Sequence, residues 1–313
     1  MSPALFTEAF ITATTASAFI LSTPILFAAI GEIYAERSGV TNLGLEGIME
    51  AAAFIAFLAC YSTGSPWLGI LAALFMGILL ALTHSFLCVK IGVNQVISGL
   101  LIVTLGTGIA FFGYSEVFGS FTPSVNTLGR INIPGLSQIP FLGPILFQQN
   151  ILVYVALFFA IIFGINLYNT TSGLKIRATG ENPKASDVVG INVNLLRHLC
   201  VIFGGAMAGL GGATLTVGYL GIYGEGIVAG RGWIAIIVTI FSRWSPYRAV
   251  FGSLLFGFAF SLAIRLVGAG IGVPYHLLMA MPYVVAIIAV AILFKKAMGP
   301  SGLMIPYRRG ASP

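Results

Sequence analysis

The chain has 313 residues, of which 58% are hydrophobic and only 8% are charged. Soluble globular domains carry about 25% charged residues, so the composition excludes a protein whose surface is mainly covered by water. The mean hydropathy of +1.01 and the 39 glycines instead indicate closely packed helices in a bilayer. The net charge of +6 does not predict a nucleic-acid partner, because no basic cluster is interleaved with aromatic residues.

Apolar stretches that can cross a bilayer follow one another along the chain. A membrane helix needs about 20 mainly apolar residues, and eight stretches approach or exceed that length: residues 10–30, 45–61, 67–89, 96–118, 151–167, 199–217, 250–267 and 277–294. A ninth, at residues 233–242, is too short to cross alone unless residues 226–232 extend it. We therefore predict an all-α, polytopic transmembrane bundle of about eight to ten spans, forming a single domain over residues 1–313.

Lysines and arginines indicate which side of the membrane each connection faces. One long connection, at residues 170–196, is rich in cations, and we place it inside. Alternation of the spans then brings further cations to the same side: Arg37, Lys90, Arg243, Arg248, Lys295, Lys296, Arg308 and Arg309. Arg130 and Arg231 fall outside, and Arg265 lies near the outer end of its helix. Because cytoplasmic loops are enriched in Lys and Arg, we expect a multi-pass protein of the cell (plasma or inner) membrane with a cytoplasmic C-terminus.

The same topology, with nine crossings, places the N-terminus outside. The longest external stretch is then residues 115–150, where four prolines among apolar residues predict an irregular connection. This stretch could receive a partner from outside or simply connect two helices. No cleavable signal peptide is expected, because residues 1–7 lack a basic segment.

The first polar break in the apolar pattern covers residues 31–50. Asn42, Glu46 and Glu50 lie between two apolar stretches, and Glu46 and Glu50 share one helical face because they are four residues apart. A carboxylate inside a span is costly, so these residues predict either a solute path or structural hydrogen bonding. Residues 36–41 are expected to form a turn, with Glu36 and Arg37 at the membrane interface.

The second break covers residues 174–193 of the cytoplasmic connection. Asn182 can cap a helix whose first residue is Pro183, and Gly190 fits a C-terminal stop. The pattern predicts one short surface helix of about two turns. Such a helix can bind a soluble partner, or it can belong to an ordinary structured loop.

The third break, at residues 218–246, begins with a flexible stretch that holds six glycines before Trp233. Broken helices of this kind often border a solute path, although a tight outer loop before one irregular span is the alternative. Asn94, which opens the fourth span, can line the path or merely cap its helix. The three histidines are far apart and predict neither a metal site nor a catalytic site.

Three motifs carry a resemblance to a known family: ERSGVTNLGLEGIM at residues 36–49, GENPKASDVVGIN at residues 180–192, and GRGWIAIIVTIFSRWSP at residues 230–246. Together they resemble the branched-chain amino acid/ribose permease family of ABC importers, and most closely its nucleoside (simple-sugar-type) branch. The resemblance runs in order over nearly the whole chain.

This resemblance implies a type II importer fold. It also implies that the short helix at residues 183–189 is a coupling helix that binds in a groove of an ABC ATPase. Such permeases work in pairs, identical or homologous, and an extracytoplasmic solute-binding protein delivers the solute. The residues implied in ATPase coupling are Gly180, Glu181, Asn182, Pro183, Lys184, Asp187, Gly190 and Ile191. The residues predicted for the solute path are Asn42, Glu46, Glu50, Asn94 and Trp233.

The chain lacks the G-x-x-x-x-G-K-[ST] phosphate loop, so ATP and Mg²⁺ are expected on the partner ATPase and no cofactor is expected here. No nucleophile, base and oxyanion set can be assembled, which predicts a non-enzymatic subunit.

An ion-coupled secondary transporter is the main rival, with Glu46 and Glu50 as its candidate coupling groups. A membrane-embedded enzyme would need a histidine or carboxylate cluster, which is lacking. Among importers, a simple sugar or an amino acid is the alternative to a nucleoside.

Overall fold

Helices form almost all of the regular structure in the computed structural model, which describes residues 7–270, 272–293 and 299–308. Within these residues no β-strand occurs, and only one isolated antiparallel bridge joins Arg130 to Asn150. The helices are α1 Glu8–Arg37, α2 Leu45–Thr63, α3 Pro66–Ser85, α4 Gln95–Phe118, α5 Ile151–Asn169, α6 Thr171–Glu181, α7 Pro183–Val188, α8 Val193–Ala213, α9 Arg231–Phe241, α10 Pro246–Gly268, α11 Tyr275–Met279 and α12 Met281–Leu293. Three π-helical segments add to them: Phe86–Ile91 after α3, Gly143–Phe147 before α5, and Thr214–Leu220 after α8.

Seven helical segments in the described part of the chain are long and apolar enough to cross a membrane. They are α1, α2, α3 with its π-helical extension, α4, α5, α8 with its extension, and α10. α9 and the pair α11–α12 are shorter apolar helices. These helices confirm the prediction of an all-α, polytopic bundle. Seven of the described helical segments reach spanning length where eight to ten spans were predicted, because α9 has only 11 residues and the stretch predicted at residues 277–294 is divided at Ala280 between α11 and α12. Phe294, which ends the last predicted span, and Lys295, Lys296 and Arg309, which were assigned to the inner side, lie outside the described residues.

Glycines allow the central helices to approach closely. α1, α2 and α8 are mostly buried, whereas α3, α4 and α5 each expose an apolar face. A Cβ at Gly31 of α1 would overlap the backbone of Gly204 in α8. A Cβ at Gly106 of α4 would likewise overlap the carbonyl of Gly47 in α2. Backbone contact of this kind is how membrane helices gain packing energy without a hydrophobic effect between them.

One end of the bundle, which we call the basic end, gathers the last turn of α1, the start of α8 and residues 299–308. Arg197 of α8 donates from Nε to the Ser38 carbonyl at 3.0 Å, and Arg308 donates to the Ile91 carbonyl at 3.2 Å. Arg37 and Lys90 adjoin these contacts in the chain. The enrichment in cations predicts that the basic end faces the cytoplasm. At the opposite end, α1 begins and α4 ends.

Three sequence expectations need correction. α1 continues through Arg37, so Glu36 lies in the last turn of this helix and not in the turn expected at residues 36–41. Its carboxylate is buried and accepts a hydrogen bond from Trp244 Nε1 at 2.5 Å, so it is not exposed at the membrane interface. The basic connection contains two helices, α6 and α7, where one was expected. Arg231 is buried at the start of α9, where its guanidinium lies over the Phe260 ring at 4.5 Å and donates to two carbonyls, so it is not an exposed external charge.

The two glycines in the middle of α4 give a matched test of this packing. Gly106 faces the Gly47 backbone, whereas no atom lies within 4 Å of a Cβ built at Gly108. We expect Gly106→Val to destabilise the permease by about 1–3 kcal/mol through overpacking, and Gly108→Val to have a much smaller effect. Thermal denaturation of the detergent-purified permease measures both. Equal losses in the two variants would contradict the packing of α4 on α2.

Candidate solute path and coupling surface

Two non-helical segments, residues 38–44 and 221–230, enter the bundle from its two ends and lead to the starts of α2 and α9, which lie side by side. Residues 38–44 turn back along α1, because the Asn42 N–H donates to Glu32 Oε1 at 2.7 Å, ten residues earlier. α2 therefore begins inside the bundle, and its Gly47 packs against Ile102 and Val103, within α4. Residues 221–230 enter from the opposite end, and α9 then begins beside the first turn of α2.

Glu46 of α2 holds the start of α9. Its two carboxylate oxygens accept hydrogen bonds from the N–H groups of Gly230 and Gly232, each at 2.7 Å. The first turn of any helix has unpaired N–H groups and a partial positive charge. The N-cap of α9 is Gly230, which has no side chain to satisfy them. A carboxylate from another helix thus supplies the missing cap.

Glu50, one turn further along α2, holds the segment that precedes α9. Its Oε1 accepts from the Tyr223 hydroxyl at 2.8 Å and from the Gly226 N–H at 3.1 Å, and its Oε2 accepts from the Val228 N–H at 3.3 Å. Structural hydrogen bonding, one of the two roles left open for these carboxylates, is therefore present.

A cavity of about 200 Å³ lies beside these carboxylates. It is lined by Glu46, Glu50, Thr107, Phe111, Tyr223, Glu225 and Gly226. The lining combines hydrogen-bond acceptors with two aromatic rings, so it suits a polar solute that donates hydrogen bonds and has a flat face. Of its residues, Tyr223, Glu225 and Gly226 lie in the third polar break, for which a border of the solute path was one of two predicted roles, although none of them was singled out. Thr107 and Phe111 of α4 were not predicted, and a threonine in an apolar span was the available signal there.

The other residues predicted for the solute path do not line this cavity. Asn42 is buried, and its Oδ1 accepts from the Gly44 N–H at 2.9 Å, just before α2. Asn94 caps α4 through the N–H groups of Val96 and Ile97. Trp233 is 38% exposed in the first turn of α9. Whether any of them contacts solute stays a prediction.

α7 has the capping that its sequence predicts. Asn182 Oδ1 accepts from the Ala185 N–H at 3.0 Å, Pro183 is the first helical residue, and Gly190 has φ +87°. Val188 and Val189 are 86% and 75% exposed. Lys184 and Gly190 are exposed too, whereas Asp187 and Ile191 are half-buried. Two adjacent, nearly uncovered valines at the basic end suit a protein contact.

Gly180 and Glu181 contact the C-terminal part of the same chain. The Gly180 carbonyl accepts from the Gly302 N–H at 2.8 Å. Glu181 Oε2 accepts from the N–H and the hydroxyl of Ser301, both at 3.1 Å. These two residues, predicted for ATPase coupling, therefore bind residues 299–308 in this structure.

A larger cavity, of about 690 Å³, lies at the opposite end of the bundle. Arg130 of the irregular connection and Arg265 of α10 both line it, together with Glu8 at the start of α1. Two arginines predicted to lie at the outer side are thus brought to one place.

The chain belongs to the family described as branched-chain amino acid transport system / permease component, whose model matches residues 14–294. It is 34% identical over 304 residues to the nucleoside ABC transporter permease NupC of Lactococcus lactis subsp. cremoris, covering 93% of this chain and 95% of NupC. It is 33% identical over 302 residues to the guanosine ABC transporter permease NupQ of Bacillus subtilis, with the same coverage. It is also 38% identical over 245 residues to TsgC13 of Haloferax volcanii, named as a candidate glucose ABC transporter permease, covering 78% of this chain and 74% of TsgC13.

The fold is shared with a solved ABC transporter described as a candidate metal-chelate type in an inward-facing conformation. The TM-score is 0.52 at 15% sequence identity, covering 90% of this chain and 85% of that one. At this identity the likeness shows the fold alone, an ABC transporter permease fold. The family predicted from the three motifs is confirmed, and the chain is a transmembrane permease subunit of an ABC transporter.

The role of Glu50 can be tested through the accessibility of the segment that it holds. Val228 is fully buried, so a Val228→Cys thiol should react slowly with a water-soluble maleimide. We expect Glu50→Ala to speed this labelling about tenfold or more, since each unpaired buried donor costs about 1–3 kcal/mol and 1.4 kcal/mol is a factor of ten. Glu50→Gln, which retains one acceptor oxygen, should give an intermediate rate. The background replaces Cys60, Cys88 and Cys200, and unchanged labelling in Glu50→Ala would refute the assigned contacts.

Proposed function

We propose that this chain is one of two permeases in an importer that carries nucleosides across the cell membrane, driven by a separate ATPase. The observation that carries the proposal is the cavity beside Glu46 and Glu50, where the start of α2 contacts the start of α9. The names of NupC and NupQ, which match the chain over nearly its whole length, support a nucleoside as the solute.

The lining of this cavity favours a nucleoside over an amino acid. Nucleoside hydroxyls and base N–H groups can donate to Glu46, Glu50 and Glu225, while the base can stack on Phe111 or Tyr223. A free amino acid would need a cation or a free helix N-terminus for its carboxylate. The described lining includes no lysine or arginine, and Glu46 already occupies the first N–H groups of α9. A simple sugar is the second candidate, because TsgC13 is named for glucose.

A second permease, identical or homologous, would complete the path. Phe111 is 55% exposed on α4, and neighbouring α4 residues such as Leu101 and Leu105 are also exposed. The cavity is therefore lined on the α4 side by a helix that this chain leaves largely uncovered. A partner permease packed against α4 would enclose the solute between the two chains.

α7 would act as the coupling helix, with ATP and Mg²⁺ bound by the partner ATPase. Val188, Val189 and Ile191 would fill a groove of the ATPase, and Lys184 would pair with its charges. The basic end, with residues 299–308, would then face the cytoplasm. At the other side, the cavity lined by Arg130 and Arg265 would receive the acidic surface of a solute-binding protein.

Transport by the reconstituted complex tests the substrate class. Proteoliposomes that contain both permeases, the ATPase and the solute-binding protein should take up labelled guanosine or cytidine when ATP is enclosed with the ATPase. An excess of unlabelled nucleoside should compete, whereas glucose and leucine should not. The double variant Glu46→Ala, Glu50→Ala should lose uptake, because it removes the acceptors that line the cavity. Uptake of glucose without uptake of any nucleoside would reject the nucleoside and support the sugar.

Exposed valines allow a sharp test of ATPase coupling. Val188→Asp changes a side chain that covers almost nothing within the permease, so membrane insertion and thermal stability should stay normal. ATPase copurification should be lost, because a carboxylate cannot fill an apolar groove. Gly190→Val should have the same effect, since a β-branched residue is strained at φ +87°. Val273→Asp, an exposed valine between α10 and α11, is the control and should copurify normally. Normal copurification of Val188→Asp and Gly190→Val would remove the coupling role from α7.

A further inference from the structure

Arg197 is a buried cation that donates hydrogen bonds to three backbone carbonyls. It lies in the first turn and a half of α8 and is 2% exposed. Its guanidinium donates to the carbonyls of Ser38 at 3.0 Å, Ile305 at 2.9 Å and Gly302 at 3.4 Å. Burying such a charge is costly unless it is well paired. A planar guanidinium can gather carbonyls from separate segments in this way, whereas the compact lysine ammonium cannot reproduce its fork.

The segment that Arg197 holds, residues 299–308, is termed here the C-terminal strap. It contacts the end of α6 and the beginning of α7. The Gly302 N–H donates to the Gly180 carbonyl at 2.8 Å. A Cβ at Gly302 would lie 2.8 Å from that carbonyl and 3.2 Å from Pro183 Cδ. There is no free space at this contact, so Pro183 cannot move toward the strap without displacing it.

On its other side the strap contacts the turn that leads into α2. The Met304 N–H donates to the Gly39 carbonyl at 3.1 Å. Gly39 has φ +101°, and a Cβ there would lie 2.5 Å from Arg197 Nη2 and 3.1 Å from the Gly302 carbonyl. The turn and the strap are therefore in direct backbone contact, and the Arg197 guanidinium donates to both, again without free space.

From this turn the chain reaches the cavity within a few residues. The Thr41 N–H donates to Gln95 Oε1 at 2.9 Å, which connects the turn to the start of α4. α2 follows at Leu45, and Glu46 holds the first N–H groups of α9. Close contacts thus run from α7 through the strap to the place where the start of α2 contacts the start of α9.

We propose that Arg197 and the C-terminal strap are positioning elements that pass the movement of α7 to the start of α2 during transport. The inference rests on the proposed role of α7 in ATPase coupling, and it goes beyond that role by naming how the movement reaches the solute path. If Arg197 and the strap had a purely structural role, their loss would affect stability alone. As positioning elements, they would also set how much solute crosses for each ATP hydrolysed.

The experiment compares Arg197→Met, Arg197→Lys and Gly302→Ala in the reconstituted complex. ATPase copurification, solute-stimulated ATP hydrolysis and uptake are measured on the same preparations. We expect Arg197→Met to copurify with the ATPase and to hydrolyse ATP, while solute transported per ATP falls about fivefold or more, a typical size for coupling between two sites. Arg197→Lys should retain part of the coupling. Gly302→Ala, which leaves the arginine in place, should lower the same ratio because its methyl group displaces the Gly180 carbonyl.

Two controls separate this outcome from general damage. Gly268→Ala adds a methyl group where no atom lies within 4 Å, and Arg248→Met removes an exposed cation near the start of α10. Both should keep the normal ratio of solute to ATP. If Arg197→Met fails to insert in the membrane, the ratio of solute transported to ATP hydrolysed in Gly302→Ala decides between the two outcomes. A normal ratio in Gly302→Ala or in a folded Arg197→Met overturns the proposal.

The result also separates this inference from the coupling role of α7. If α7 does not couple, Val188→Asp will still bind the ATPase, whatever ratio the strap variants give. If only the strap inference fails, Val188→Asp will lose the ATPase while the strap variants transport normally.

Discussion

The need to satisfy backbone N–H groups inside the bundle determines the centre of this structure. An unpaired backbone donor in a bilayer costs several kcal/mol, so non-helical chain at membrane depth requires partners from protein or water. Glu46 and Glu50 supply them, accepting four backbone N–H groups and one tyrosine hydroxyl. Two carboxylates on one face of α2 therefore set where residues 221–230 lie and where α9 begins. Without them, four backbone N–H groups of this segment and of the first turn of α9 would lose their acceptors.

The same constraint connects stability with transport. The carboxylates that hold the chain also line the cavity, so a solute that donates hydrogen bonds can compete with the backbone for their oxygens. Movement of α2 by a small distance would change both sets of contacts together. Residues 38–44 begin at the basic end and lead directly into α2. A displacement applied at α7 therefore has a short route to the place where solute would bind.

Much of the fold could be predicted from the sequence because it depends on local signals. Long apolar stretches predicted the spans, and Asn182, Pro183 and Gly190 predicted α7, since capping involves residues only a few positions apart. The partners of Glu46 could not be predicted, because they are backbone N–H groups more than 180 residues later and any residue type except proline provides one. Arg231 was misplaced for a related reason: its partners are carbonyls and an aromatic ring, which charge patterning does not reveal.

The hydrogen bonds of Glu46 and Glu50 also bear on how energy enters the transport cycle. A proton-coupled transporter that used these two carboxylates would need one of them to gain and lose a proton in each cycle. Protonation would remove the charge that strengthens the bonds to the backbone and would turn one oxygen into a donor facing other donors. The start of α9 and the segment before it would lose their cap at each step. An ATP-driven importer needs no such proton cycle, so the start of α9 and the segment before it could keep their hydrogen bonds throughout. The hydrogen bonds of Glu46 and Glu50, like the family, thus favour an ATP-driven transporter over a proton-coupled one.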